Sequence, residues 1–306
     1  MADNILDAHG QLADERSFYN VIRKTGMGAT PFWDELNSGI AFRGNPKNGH
    51  SWAYTPQPNA GEANAFAEGS RRADVTSYPD VILKNHLQIF KKTSGITGSE
   101  AHALTVEQRR RTIKDQQRAN RKQLRLDIEL ALISSDAPVA AATKTDVRKM
   151  GGVLHYVPAL AIFDLDNAAL SIKNHVDEAF KLMWLNGLSG EHIVLQAGVD
   201  AFQTLQFAYA DKKQLKNTDS TAHNVLNKIV TAWFPQGVKL APNANFEANE
   251  IRIFAPNLIE PVLLRSYKNK PCSDPEYDID VTEDLFEMSV QILDPFAMIQ
   301  IKNIGA

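Results

Sequence analysis

Cysteine is almost missing: Cys272 is the only one in 306 residues, so neither an intrachain disulfide nor a cysteine-based metal cluster can form. It sits between Pro271 and Ser273 in a polar stretch, where an incidental loop thiol is a simpler reading than a nucleophile. No run of apolar residues reaches the length that spans a bilayer, and the opening MADNILDAHGQLADERSF has no basic start followed by an apolar run. That predicts a chain made and kept in a cytoplasm, with no membrane partner. Excess positive charge is missing as well. With 33 Lys and Arg against 36 Asp and Glu the net charge is −3, so any attraction to nucleic acid has to be local.

Catalytic signatures are equally scarce. The eight histidines are scattered, and Glu100-Ala101-His102 is followed by no second histidine at the spacing of a zinc-binding helix. Gly95-Ile96-Thr97-Gly98 has the spacing of neither a dinucleotide fingerprint nor a P-loop, and no Gly-x-Ser-x-Gly elbow occurs. Asp164 and Asp166, two apart before a helical pattern, read more simply as an N-cap region than as an acid/base pair. Trp184 and Trp233 lie in apolar patterns where core packing is the expectation. The sequence therefore predicts no catalytic residue, no metal and no cofactor.

What is present is a globular balance, 43% hydrophobic and 23% charged, in a chain long enough for one elaborated domain or two lobes. Residues 1–30 are polar, with Ile5, Leu6, Leu12, Phe18, Val21 and Ile22 too sparse for a core but adequate for docking on something else. Thr30-Pro31-Phe32 marks the entry into folded structure, because proline sets an extended predecessor and starts new local geometry. Strand-like runs at Ser51 to Thr55 and Val81 to Lys91 flank a segment rich in Gly, Asn, Pro and Ala, the pattern of a long hairpin whose tip, about 58–77, cannot fold against its own domain.

Thr105-Val106-Glu107-Gln108 reads as a capping box, and no Gly or Pro follows until after Ser134. That predicts one helix of about 28 residues, roughly 42 Å long. Apolar residues are nearly absent between Ile113 and Leu124 and then crowd Leu124, Leu126, Ile128, Leu130, Leu132 and Ile133. The first half should face solvent or a partner, and the second half a core. Arg111, Lys114, Arg118, Arg121 and Arg125 recur at steps of three and four, which puts five cations on one stripe. The stripe is either an anion-binding face or a solvated surface.

Beyond Gly151-Gly152 the texture is α/β. An apolar helical face (Ala169, Ile172, Val176, Ala179, Phe180, Met183) stops at Asn186-Gly187. A buried strand at His192 to Ala197, a helix at Asp200 to Tyr209, and strands at Lys228 to Phe234, Val238 to Pro242 and Glu250 to Ala255 follow. Phe286 to Leu293 and Phe296 to Ile301 read as an antiparallel pair around Asp294-Pro295.

This order of parts resembles the major head proteins of tailed bacteriophages, the Hong Kong 97-type family. TPFWDEL from Thr30, WAYTPQPNAGEANAFAEG from Trp52, IFKKTSGITGSEAHA from Ile89, RKQLRLDIELALIS from Arg121 and the run from Trp233 through GVKLAPNANFEANEIRIFAPNLIEPVLLRSY carry the likeness. The resemblance implies an α+β fold with an N-terminal arm (1–36), an extended loop and its flanking strands (37–97), a peripheral domain with the spine helix (98–150), an axial domain (151–262) and closing strands returning to the peripheral domain (263–306). It implies a shell of pentamers and hexamers around double-stranded DNA, with scaffolding, portal and decoration proteins as partners, assembled in the host bacterial cytoplasm. Some members cross-link subunits through a loop lysine, but residues 49–83 contain none, so a non-covalent shell is expected.

The intersubunit residues expected on this basis are Glu62, Glu68, Arg71, Arg72 and Asp74 on the loop, and Arg111, Lys114, Arg118, Arg121 and Arg125 on the spine helix. With Asp80 the loop is net acidic and the helix net basic, so the two should attract across a subunit boundary. Other readings are a nanocompartment shell protein, a nucleic-acid-binding module using the basic helix, and an enzyme of unrecognised type.

Overall fold

The structure is a computed structural model that describes residues 29–36, 39–43, 49–54, 68, 80–141, 143, 146–213, 228–272 and 279–305. Proline at the first helical position starts the short helix α1 (Pro31–Glu35), which buries Phe32 and Trp33 completely. After β1 (Ile40–Ala41), the expected hairpin forms: β2 (His50–Tyr54) pairs antiparallel with β3 (Val81–Asn85), and the tip at 58–77 lies outside the described residues apart from Glu68, which is exposed. Strand β4 (Gln88–Thr97), helix α2 (Gly98–Ala103) and helix α3 (Val106–Ile133) follow, the last being the 28-residue helix read from the sequence. Its capping box is complete, with Gln108 N–H donating to Thr105 Oγ1 at 3.3 Å and Thr105 N–H to Gln108 Oε1 at 2.9 Å. A cap of this kind contributes about 1 kcal/mol.

The next elements build the α/β part: β5 (Ile162–Asp164), α4 (Asp177–Leu185) entered through a wide π turn at Ile172–Val176, β6 (Val194–Ala197), α5 (Val199–Lys213), β7 (Lys228–Ile229), β8 (Val238–Pro242) and β9 (Ile251–Phe254). Gly187 ends α4 with φ +85°, the left-handed geometry that glycine reaches without a Cβ clash. The chain closes with β10 (Ile259–Pro271), β11 (Ile279–Ile292) and β12 (Met298–Lys302).

Two sheets share one apolar core. A four-stranded sheet runs β1-β10-β11-β4, and a six-stranded mixed sheet runs β5-β12-β9-β6-β8-β7. β6 and β9, buried at every position, sit at the centre of the second sheet, as a strand covered on both faces must. Helix α3 joins the two. Its middle bonds to β4 and β11, and the carbonyl of Ile133 at its end accepts from Arg252 Nη1 of β9 at 2.6 Å.

Several expectations change. The strands around Asp294-Pro295 do not pair with each other: β11 lies between β10 and β4, while β12 pairs with β5 and β9 in the other sheet. The last strand therefore joins the α/β sheet instead of returning with β11. Asp294 accepts from Phe296 N–H at 2.7 Å and Pro295 opens a 3-10 turn, which swings the chain from one sheet to the other. The run from Lys228 to Phe234 is strand only at Lys228–Ile229. Asp164 ends β5 and accepts from Asp166 N–H in a tight turn with positive φ at Asp166 and Asn167, so it is not a helix cap. Trp184 is 43% exposed and lies tilted against Trp233 at 5.5 Å, on the outer side of a tryptophan that itself packs against the core.

Candidate subunit-contact site

The stripe on α3 divides in two. Arg111, Lys114 and Arg118 are exposed, and among the described residues no carboxylate lies within ion-pair distance of them. Arg121 is half-buried, with its Nε donating to the Gln117 carbonyl at 3.3 Å. Arg125 departs from the expectation: it is 1% exposed, and it bonds to Thr30 Oγ1 and to the carboxylate of Asp34. Its guanidinium also lies 5.4 Å from the Trp33 ring. At 100° per residue Arg125 falls on the same line as Arg111 and Arg118. What differs is the cover, because α1 lies across the stripe at that end.

One turn further on, Glu129 is fully buried and accepts from Phe32 N–H at 3.0 Å, Trp33 N–H at 2.8 Å and Asn243 Nδ2 at 3.2 Å. It satisfies the free amides at the start of α1. Burial raises its pKa, opposed by those hydrogen bonds. Asn243 in turn donates to Gln196 Oε1 at 2.9 Å, and Gln196 donates to the Pro31 carbonyl at 2.9 Å. Arg125 and Glu129 thus fasten the Thr30–Glu35 segment to both α3 and the six-stranded sheet. Sequence reasoning missed this junction, although a glutamate among Leu124, Ile128 and Leu132 on an apolar face was a visible sign.

The root of the hairpin is fixed with comparable density. Trp52 Nε1 donates to the Ile292 carbonyl at 2.6 Å, and Asn85 Nδ2 donates to the carbonyls of Val290 and Gly151 at 2.9 and 3.0 Å while its Oδ1 accepts from Gly151 N–H at 2.7 Å. Tyr156 packs edge-on against Trp52 and donates to the Lys84 carbonyl at 2.7 Å. His50 stacks on Trp52 at 5.7 Å and meets Gln291, whose amide reaches Glu260 at 2.5 Å. His86 has its pKa lowered by burial and by Arg148. Glu62, Arg71, Arg72 and Asp74 lie outside the described residues, and Glu68 is exposed. No group of three or more potential metal ligands occurs among the described residues. No helix there is long and apolar enough to cross a membrane.

The fold is shared with solved capsid and shell proteins. The cyanophage A-1(L) capsid protein superposes with a TM-score of 0.62 at 12% identity, over 92% of this chain and 95% of that one. The capsid of the native GTA particle gives 0.59 at 11% identity over 92% of each chain. The holo-SrpI encapsulin from Synechococcus elongatus PCC 7942 gives 0.54 at 11%, over 91% of this chain and 89% of that one. No curated protein sequence matches the chain. At these identities the structures define the fold class, a Hong Kong 97-type α+β capsid fold. The family follows from the sequence: residues 4–305 match the SU10 major capsid protein, and the chain belongs to that family. It is a phage head shell protein, a structural class without catalysis.

Proposed function

We propose that this chain assembles as pentamers and hexamers into the icosahedral head of a tailed phage, enclosing double-stranded DNA, within the host bacterial cytoplasm and with separate scaffolding and portal proteins. The observation that carries the reading is the capsid-family match over residues 4–305 together with a fold whose hairpin root and spine helix are both firmly anchored. Anchored roots let one subunit present the same projecting parts to several neighbours, and many modest contacts add up in a closed shell. Within that shell the loop residues Glu62, Glu68, Arg71, Arg72 and Asp74 meet Arg111, Lys114, Arg118 and Arg121 of a neighbour. The exposure of the first three cations, with no ion-pair partner among the described residues, supports this, whereas Arg125 is held inside its own subunit.

The likeness to an encapsulin keeps one rival, a nanocompartment shell that encloses proteins. Electron microscopy of the expressed chain tests both: closed shells are expected, and soluble protein that stays monomeric at every salt and protein concentration would overturn the proposal. The contents of shells purified from the native source separate the two, with nuclease-protected DNA expected and a protein cargo supporting the rival. Boiled denaturing gels of mature shells should give one band near 33.9 kDa, since residues 49–83 offer no lysine for cross-linking.

A further inference from the structure

The turn that joins the hairpin to β4, residues 85–88, is docked on residues 148–151 through two side chains. Asn85 Oδ1 accepts from Gly151 N–H at 2.7 Å and its Nδ2 donates to the Gly151 carbonyl at 3.0 Å, while Gln88 Oε1 accepts from Met150 N–H at 3.1 Å. His86 lies between those two anchors in the chain. Its backbone N–H donates to Asn85 Oδ1 at 2.8 Å. Its imidazole is covered by Gly49, at the entry to β2, where a Cβ would stand 2.8 Å from Nδ1. Gly49 has φ +75°, so both the backbone geometry and the close approach require glycine.

The imidazole sits where a second charge is unwelcome. Nδ1 is buried and meets no hydrogen-bonding partner among the described residues. Arg148 is the charged group that acts on it. Arg148 Nη2 lies 2.7 Å from Glu287 Oε1, but the same carboxylate also takes Arg265 Nε at 2.5 Å. Two guanidiniums thus share one carboxylate, and the cluster is cationic before His86 carries any charge. Lys84 and Lys149, the charged residues nearest in the chain to His86 and Arg148, are cations as well. A proton on His86 therefore adds a buried donor with no acceptor and a like charge beside Arg148. Burial and Arg148 accordingly hold its pKa below the ordinary histidine value. His50, the other histidine of the hairpin root, has a different setting: it meets Gln291, whose amide donates to Glu260 at 2.5 Å, so a carboxylate stands behind it.

We propose that His86 is a proton-operated latch at the base of the hairpin: when its imidazole gains a proton, residues 148–151 leave residues 85–88, and the hairpin is then held through β11 and Tyr156. The direction follows from linkage. The docked state takes the proton less readily than the undocked one, so the dock is intact above the ordinary histidine value of about 6.5 and weakens as pH falls below it. The bonds from Trp52 Nε1 to the Ile292 carbonyl, from Asn85 Nδ2 to the Val290 carbonyl and from Tyr156 to the Lys84 carbonyl do not involve residues 148–151. They become the pivot on which the released hairpin tilts. The latch is a property of one subunit and stands or falls apart from the shell reading.

Hydrogen exchange of the full-length chain at about pH 7.5 and about pH 5 tests this through the Met150 and Gly151 amides, which Gln88 and Asn85 protect. Each rate is divided by the intrinsic rate at the same pH. Protection of both amides should fall roughly fivefold or more on acidification, while the amides of β6 and β9 keep theirs. His86→Gln should abolish the fall, and His50→Gln should leave it as in the parent. Arg148→Gln, which removes the like charge and leaves Glu287 with Arg265, should reduce it. Protection that does not change with pH in the parent overturns the latch. So does a fall that persists in His86→Gln, because the proton then acts elsewhere; if that variant does not fold, an undiminished fall in Arg148→Gln decides the same way. An equal loss of protection in β6 and β9 would mean that acid unfolds the whole subunit, and it too overturns the latch.

Discussion

The two halves of α3 are one helix with two kinds of surface. From Val106 to Lys122 the residues are exposed or half-buried, and the cationic line through Arg111, Lys114 and Arg118 faces outward. From Leu124 to Ile133 the same helix buries Leu124, Ile128, Leu132 and Ile133 together with Arg125 and Glu129. The helix is continuous through the change, so the difference comes from what lies across it. In the second half α1 and the six-stranded sheet supply the cover, and polar groups are kept there only because each has a fixed partner. Charge on the first half is free to serve a neighbour, while charge on the second half holds the subunit together.

The largest effect that would break this comparison is expected at Arg125. Arg125→Glu puts a second carboxylate against Asp34 and removes the bond to Thr30, in a site that is 1% exposed. Removing one partner of a buried pair costs about 3–5 kcal/mol. The subunit should lose roughly 10 °C of thermal stability or fail to accumulate in soluble form. A melting curve within about 2 °C of the parent would show that α1 does not depend on this anchor. A milder version compares truncations: Ile128→Ala, at a fully buried position, should cost about 2–4 kcal/mol, and the half-buried Ile113→Ala less than about 1, measured by urea unfolding.

Much of α3 was legible in advance, since its length, its capping box and the apolar crowding after Leu124 all follow from local pattern. The burial of Arg125 was not. Periodicity places a residue on a face but says nothing about which distant segment covers that face, and Thr30 lies 95 positions away. For the same reason the strands around Asp294-Pro295 looked like a hairpin: adjacency in sequence suggests pairing, while the 3-10 turn sends β12 to a different sheet. Trp184 failed in the opposite direction, as an apolar residue that its helical pattern assigned to the core and that is 43% exposed, whereas Trp233 does pack against the core. The loop-to-helix pairing rested on charge composition, and of the loop residues named for it only Glu68 falls among the described residues.

A smaller effect should distinguish the buried half by pH. The folded pKa of Glu129 is raised by burial, so between its ordinary value and that raised value the folded chain binds more protons than the unfolded one. The stability this group contributes is therefore fully present below its unfolded pKa and is lost as pH rises through the folded value. Glu129→Gln removes this dependence. The stability difference, parent minus variant, should fall steadily from about pH 4 upward through that range. A flat difference in denaturant titrations would mean that Glu129 keeps an ordinary pKa in spite of its burial.

The smallest effect on the subunit is expected from the exposed half, where it should be the largest for the shell. Arg111→Glu with Arg118→Glu alters two side chains in solvent, and such changes usually move stability by less than about 0.5 kcal/mol. Exposed ion pairs contribute only about 0.2–1 kcal/mol each, so no single contact with a neighbouring loop should be decisive. Repeated at every loop-to-helix contact of a closed shell, however, the reversal places like charges opposite one another throughout, and assembly should slow or stop while the melting curve of the free subunit stays put. Glu62→Lys with Glu68→Lys on the loop should restore part of the assembly rate, because the sign of the interaction is recovered even if its geometry is not. Light scattering follows the rate and microscopy the product. If the stripe instead faced packaged DNA, the arginine reversal would yield normal empty shells that fail only at filling, and the loop substitutions would rescue nothing. Because Arg125 has its own intrasubunit partners, the reversal must stop short of it: a variant that includes Arg125 would confuse a folding defect with an assembly defect, whereas Arg111 and Arg118 test the outward half alone.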